Sequence, residues 1–277
     1  LGVNLHNDIA VLLAKRFIQR RDLKAQQEPS GAYHPVYSPW RMSDIHAHLD
    51  KQVSYGHYLL DQESKCRFFA FDIDLEKEGS WCEFPDLSNR DLADDEPTMV
   101  VHPLAKTDTD DEPLRNAWKN RAHPGRPWFK YQLRMAASKL AQTVTDVLEL
   151  PVAVAYSGNK GLHVYGFTGP VAADEAREAA ELVLAATGAW EPARGKNFYR
   201  AVNLDPIEGF PNLSIEVFPK QAHLENGGLG NLLRLPLGKN LKSKDPTFFV
   251  DMNAPMSVIA PHKNPVAVLE SGNPWRE

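Results

Sequence analysis

The stretch Arg67-Phe68-Phe69-Ala70-Phe71-Asp72-Ile73-Asp74-Leu75 sets two carboxylates into an otherwise apolar run. Successive side chains on a strand point to opposite faces, so Asp72 and Asp74 share one face while Phe71, Ile73 and Leu75 share the other. The apolar set requires a core. Two like charges side by side repel, and a hard cation between them removes the repulsion, which makes magnesium or manganese the first candidate. For a lone Asp-x-Asp the alternative is an edge strand with two solvated acids, because short motifs are weakly specific.

Working outward, Val53 to Leu60 and Cys66 to Leu75 read as two strands flanking an Asp61-Gln62-Glu63-Ser64 turn, which predicts a hairpin carrying the two acids. From about residue 76 to 127 the chain is acidic, rich in proline and poor in periodicity, an excursion from the fold with one short helix expected near Leu114 to Arg121. Phe129, Leu133, Ala137, Leu140, Val144, Val147 and Leu148 then recur at helical spacing, and Pro151 ends that helix.

The second informative stretch runs from Val152 to Phe167, two strands around Ser157-Gly158-Asn159-Lys160-Gly161. Its glycines free backbone amides for an anion while Lys160 supplies charge, a combination suited to phosphate. His163 follows on a strand, on the face shared with Tyr165 and Phe167, where an imidazole reaches the same anion. A plain hairpin turn with a satisfied histidine is the other reading. Ala173 to Thr187 reads as a helix stopped by Gly188. Strands are expected at Tyr199 to Leu204, Ser214 to Phe218, Asn231 to Leu235 and Thr247 to Val250. In the second of these Ile215 and Val217 face one way, so Glu216 is a third acid projecting from an apolar strand. Lys220, Arg234 and Lys239 add late basic groups, and neither a P-loop nor a Gly-x-Gly-x-x-Gly fingerprint occurs.

With 277 residues and 43% hydrophobic content, the chain can bury one large core or two closely joined modules. No apolar run approaches the roughly 20 residues that span a bilayer, and no signal-peptide order opens the chain, so no membrane partner and a cytoplasmic setting are expected. Two cysteines, Cys66 and Cys82, are too few for a disulfide framework or an all-cysteine zinc site. The formal net charge is -5, but Lys77 to Pro113 holds eleven acids against three bases, a local -8 that leaves the rest at +3. That remainder permits a cationic track for nucleic acid, with Lys15, Arg16, Arg20, Arg21, Lys130, Arg134, Lys239, Lys242 and Lys244 as candidates. The chain begins at Leu1 without methionine and ends Pro-Trp-Arg-Glu, as a piece of a longer protein would.

Leu5, Ile9, Leu12, Leu13 and Phe17 predict an amphipathic helix over about Leu5 to Ala25, within a helical N-terminal part of about residues 1–52. Pro29, Gly31, Pro35 and Pro39 mark a loop before a short helix that Ser43 is expected to cap. Inside it, His46-Ala47-His48 resembles the His-x-His metal motif of amidohydrolases and phosphoesterases. That motif belongs at a strand end, whereas helical residues two apart diverge by about 200°, so no metal is expected there.

In their order, the Asp-x-Asp strand, the Ser-Gly-x-x-Gly-x-His hairpin from Ser157 to His163, and the later acid Glu216 resemble the archaeo-eukaryotic primase superfamily. Glu216-Val-Phe-Pro-Lys-Gln and Gly230-Asn-Leu-Leu-Arg-Leu-Pro-Leu-Gly resemble its phage and plasmid primase-polymerase branch, with similar proteins in mobile-element conflict systems. The resemblance spans about Tyr33 to Lys239. It implies one α/β (α+β) catalytic domain over residues 1–277: an RNA-recognition-motif-like mixed sheet packed with a second α/β module, and the active site in the cleft between them.

By that similarity Asp72, Asp74 and Glu216 bind Mg2+ or Mn2+ in a two-metal nucleotidyl transfer. Ser157, Lys160 and His163 bind the triphosphate, and Lys220 and Arg234 contact nucleotide or template. The implied partners are single-stranded DNA, nucleoside triphosphates (NTP or dNTP), and a helicase as partner or downstream domain. The cysteine and histidine clusters of zinc-bearing members are absent from the sequence, so no zinc module is expected. A nuclease or glycosyltransferase sharing the carboxylates, and a catalytically silent DNA-binding replication initiator, are the alternatives.

Overall fold

The computed structural model describes residues 2–75, 80–81, 112–113, 118–123, 126–193, 195–201, 213–225 and 227–276. The acidic run, Cys82 and most of the excursion lie outside the described residues. So do the start of the short helix expected near Leu114, of which Trp118 and Lys119 are helical, and the end of the strand expected from Tyr199 to Leu204.

The helices are α1 (Gly2–Phe17), α2 (Met42–Leu49), α3 (Arg126–Leu148), α4 (Ala173–Thr187) and α5 (Pro265–Ser271). The strands of the larger sheet are β4 (Lys65–Leu75), β7 (Val152–Tyr156), β8 (Gly161–Ala172), β9 (Trp190–Pro192), β10 (Phe198–Ala201), β11 (Leu213–Phe218) and β13 (Phe248–Phe249). They lie in the order β13-β7-β8-β4-β11-β10-β9. A smaller sheet, in the order β12-β3-β1-β2, holds β1 (Lys24–Gln27), β2 (Tyr33–Val36), β3 (Tyr55–Tyr58) and β12 (Leu232–Arg234). β5 (Ser80–Trp81) and β6 (Glu112–Pro113) form a separate ribbon. The class is α+β, as expected, and the ladders are antiparallel throughout the described residues rather than mixed.

β4 is the axis of the large sheet, paired with β8 on one edge and β11 on the other. Phe71, Ile73 and Leu75 are buried while Asp72 and Asp74 are half-buried, the alternation of a strand with one face in a core and one in a cleft. Helices α3 and α4 pack together and across β4 and β8. The helix α3 brings Phe129, Leu133, Ala137, Leu140 and Val144 into the core, the stripe its periodicity predicts. Each large apolar side chain so buried contributes about 1.5–3 kcal/mol. Gly188, with φ of 61°, ends α4 in the left-handed conformation that glycine adopts without strain.

Four local expectations are corrected. The N-terminal helix stops at Phe17 rather than near Ala25. Lys24 is buried in β1, where its ammonium finds Asp44 at 2.9 Å, the Ser38 hydroxyl at 3.0 Å and the Pro39 carbonyl at 3.1 Å. The proline-rich loop is the hairpin β1–β2, in which Pro35 sits on the edge strand, where a missing N–H costs no ladder bond. The N-terminal part is therefore not wholly helical. The helix α2 is capped at Arg41, whose N–H the Asp44 carboxylate accepts at 2.9 Å, and not at Ser43. The strands either side of Asp61–Ser64 form no hairpin with each other. β3 pairs with β1 and β12 while both edges of β4 are taken, so the chain crosses between sheets at that turn.

Candidate active site

Directly opposite residues on neighbouring strands point to the same side, and here Glu216 faces Asp72 and Asp72 faces His163. Three strands thus set a carboxylate, a carboxylate and an imidazole in one row, with Asp74 two residues along β4. The same face turns apolar towards the other end of β4, where Phe17 of α1 packs edge-on against Phe68, Tyr165 and Phe167. One half of this face is core and the other half is the floor of a cleft. The cleft is about 370 Å3 in volume, and the small sheet walls it with Tyr33 and Leu232–Arg234.

Of the residues singled out in the sequence, Asp72, Asp74, Glu216, Ser157, His163, Lys220 and Arg234 line this one cleft. Lys160 stands beside it, its ammonium 2.8 Å from Asp74 Oδ2 and bonded to the Leu75 carbonyl. Every acid has a basic partner: Asp72 has His163 Nε2 at 3.3 Å, and Glu216 is held by Lys220, whose ammonium also lies 4.8 Å from the centre of the Phe218 ring. Arg234 donates to the Tyr33 hydroxyl at 2.8 Å and to the Ser157 carbonyl, to which Asn240 also donates at 3.3 Å. The hairpin loop is thereby fixed from the cleft side.

Burial by itself would raise the Asp72 carboxyl, but His163, Lys160 and Arg234 outweigh it and hold the group below the usual carboxylate range. Asp74 shifts the other way, through burial and the neighbouring charge of Asp72, against the pull of Lys160. Burial also raises Glu216, against Lys220 and with the two aspartates. Tyr165 stays a neutral phenol, its pKa raised by burial and by Asp72, so its hydroxyl can donate to His163 Nδ1 at 2.9 Å. That bond leaves Nε2–H aimed at Asp72.

Gly161 lies opposite Asp74 in the ladder. A Cβ there would come within 2.5 Å of the Ile73 carbonyl oxygen and closer still to Asp74 Oδ1, so glycine is what leaves room for the carboxylate. The donor set is three carboxylates, hard oxygens of the kind Mg2+ and Mn2+ take, and burial, with the neighbouring acids adding to it, raises Asp74 and Glu216, a cost that a bound cation would offset. The acids fit such an ion by chemistry. Among the described residues no three such groups are already gathered at metal-binding distance, each acid being held by its basic partner instead.

Tyr33, Asn159 and Asn240 line the cleft without having been singled out in the sequence. Tyr33 sits in what reads as a proline loop, and the two asparagines stand in polar turns like many others. His46 and His48 are not a site: His48 accepts from the Tyr55 N–H at 3.0 Å and contacts the Pro236 carbonyl at 3.0 Å, while His46 lies 3.1 Å from His6.

An antiparallel sheet with strand-borne acids, a Ser-Gly-x-x-Gly-x-His hairpin and a cleft against a second sheet are compatible with a nucleotidyltransferase-like domain. The family described as "TOTE conflict system, Archaeo-Eukaryotic Primase domain" matches residues 10–271, and the chain belongs to it. The superfamily resemblance read from the motifs is borne out, in the conflict-system setting. No curated protein matches the chain. Enzymes of this superfamily generally use divalent metals. Among the described residues no helix is long and apolar enough to cross a membrane.

Proposed function

We propose that the chain is a DNA-templated primase-polymerase, joining nucleoside triphosphates into and onto primers along single-stranded DNA. The observation that carries this reading is the row Glu216, Asp72, His163 across three adjacent strands, opening into a cleft whose far wall presents Arg234. Asp72, Asp74 and Glu216 would hold Mg2+ or Mn2+, which when bound clamps attacking and leaving oxygens and offsets their developing charge. Arg234, fixed by Tyr33, offers its guanidinium to phosphate, a planar donor suited to bidentate contact. Ser157 and the amides of its loop, with His163 oriented by Tyr165, complete the triphosphate seat. Lys160 and Lys220 neutralise Asp74 and Glu216, and both ammonium groups would have to yield those oxygens to an ion held there. A helicase, as partner or neighbouring domain, would supply the open strand, and the setting would be the cytoplasm.

The test is incorporation of labelled nucleotide on a bare single-stranded template with Mg2+ or Mn2+. Metal-dependent, template-dependent extension is expected. Strand cleavage or sugar transfer without extension would overturn the reading in favour of a different carboxylate enzyme. DNA binding with no chemistry would make it a silent initiator module.

A further inference from the structure

Three members of the expected cationic track are engaged by backbone carbonyls. Arg134 is fully buried and donates to the carbonyls of Met252, Ala254 and Val258 at 3.1, 3.0 and 2.6 Å. Arg16 donates to the Leu269 and Glu270 carbonyls at 2.7 Å each, and buried Arg20 to that of Gly228 at 2.9 Å. Of the remaining members, Lys242 lines a second recess.

On the outer side of the Ser157–Lys160 loop lies a second recess of about 310 Å3, lined among others by Trp118, Lys119, Arg121, Arg126, Lys242 and Asp245. Four cations meet one acid there, Asp245, which pairs with Arg121 at 2.5 Å and leaves an excess of three positive charges in a chain whose formal net charge is -5. Lys119, Arg121 and Lys242 are exposed. Arg126 stacks over the Trp118 ring at 4.4 Å, and crowding by Arg121 adds to burial in lowering its pKa. Lys130, one turn further along α3, is lowered by burial and by Arg126. Such crowding of like charge is relieved by a bound polyanion. The recess is also joined to the catalytic loop: Trp118 Nε1 and the Tyr156 hydroxyl both donate to the Asn159 carbonyl, at 3.1 and 2.6 Å, and Asn159 lines both recess and cleft.

We propose that this recess binds the sugar-phosphate backbone of the single-stranded nucleic acid, independently of its sequence, and leads the strand past the triphosphate loop into the cleft. The proposal rests on the templated reading above only for the strand's role. A recess admits the phosphates of a flexible single strand, whereas a duplex presents a broad convex surface. The triphosphate of a free nucleotide has its own seat on the other side of the loop.

The experiment compares the full chain with the variant Lys119→Ala/Arg121→Ala/Lys242→Ala, titrating a fluorescent oligothymidylate by anisotropy without metal or nucleotide. A control, Lys51→Ala/Lys65→Ala/Lys263→Ala, removes the same charge from exposed sites elsewhere. The recess variant should lose at least about tenfold in affinity at low salt, and its slope of log affinity against log salt should shrink by about 2, near 0.7 per lost phosphate contact. The control should lose little, and nucleoside triphosphate affinity should stay unchanged in both. Equal losses in the two variants would reduce the effect to net charge and overturn the proposal. Lost triphosphate affinity with intact oligothymidylate binding would assign the recess to the nucleotide instead, and also overturn it. Because binding is read without chemistry, a failure to incorporate nucleotide counts against the proposed function and leaves this result standing.

Discussion

Asp72 and Asp74 stand two residues apart, and so do His46 and His48, yet the first pair opens into one cleft and the second is divided between two environments. On β4 the interval of two returns the side chain to the same face, and register with β8 and β11 brings His163 and Glu216 alongside. On α2 the same interval turns the side chain through about 200°. His48 points inward, wedged against Gly238 and bonded to Tyr55 and Pro236, while His46 points at His6. Spacing carries chemical meaning only together with the element that bears it.

The comparison is broken most directly at its acidic side. Asp72→Asn removes the charge at the centre of the row while leaving an amide oxygen for His163 Nε2. Incorporation of labelled nucleotide should fall by at least about a hundredfold, the scale on which loss of one electrostatic contact to a reacting group is felt. Thermal unfolding should show a modestly lowered midpoint, because the charges of His163, Lys160 and Arg234 that favour the ionised carboxylate lose their counter-charge. Wild-type incorporation by the folded variant would remove Asp72 from the chemistry.

Gly161→Ala sharpens the point by leaving every acid in place. The new methyl group must displace the Asp74 carboxylate or the β4 backbone, at about 1–3 kcal/mol of stability. Incorporation should drop further than folding does, since the carboxylate is the softer of the two obstacles. A variant with lowered stability and unchanged turnover would show that the position of Asp74 is immaterial.

Much of this arrangement is legible in the chain, and the parts that are not share a cause. Period-2 alternation identifies β11 and the Phe71–Leu75 end of β4, and the 3.6 period identifies α3 and α4, because each has one face in a core that dictates residue type. Strand pairing is another matter. The turn at Asp61–Ser64 has the length of a hairpin loop, and only the competition of β8 and β11 for the edges of β4 sends β3 to another sheet. Arg20 and Arg134 read as surface cations because the oxygens that satisfy them come from loops and turns distant in sequence. The same non-locality hides Tyr33 and Asn240, whose partners Arg234 and Ser157 belong to other elements. Glu216 was recognisable, but its place opposite Asp72 is a property of register, which a single strand does not encode.

On the histidine side the expected effects are smaller and concern stability alone. Burial lowers His48 from its ordinary 6.5 to about 4 and His57 to about 3, so in the folded chain both stay neutral where the unfolded chain is protonated. The unfolded state therefore binds more protons below pH 6.5. Stability from this source is complete above that value and is lost as pH falls towards 4, at about 1.4 kcal/mol per pH unit for each histidine. Between pH 6.5 and 5, His48→Gln should flatten urea-measured stability against pH by about that amount. Its amide can still donate to Pro236 and accept from Tyr55, so turnover at pH 7 should persist. An unchanged slope would mean that His48 is protonated in the folded chain.

The smallest effect is expected at His46, the residue that completes the metal-like motif. It is half-buried on α2, and its side-chain partner His6 keeps a second contact to Asp50 at 3.1 Å. A hydrogen bond so placed contributes no more than about 1 kcal/mol, because water replaces the lost partner. His46→Gln should therefore leave incorporation unchanged and shift the urea midpoint only slightly, in contrast to the same substitution at His48. The comparison fails in one specific way. An anomalous-scattering peak for a transition metal between His46 and His48 would show that the helix can turn both imidazoles to one ion, and the geometry that separates this pair from Asp72 and Asp74 would no longer hold.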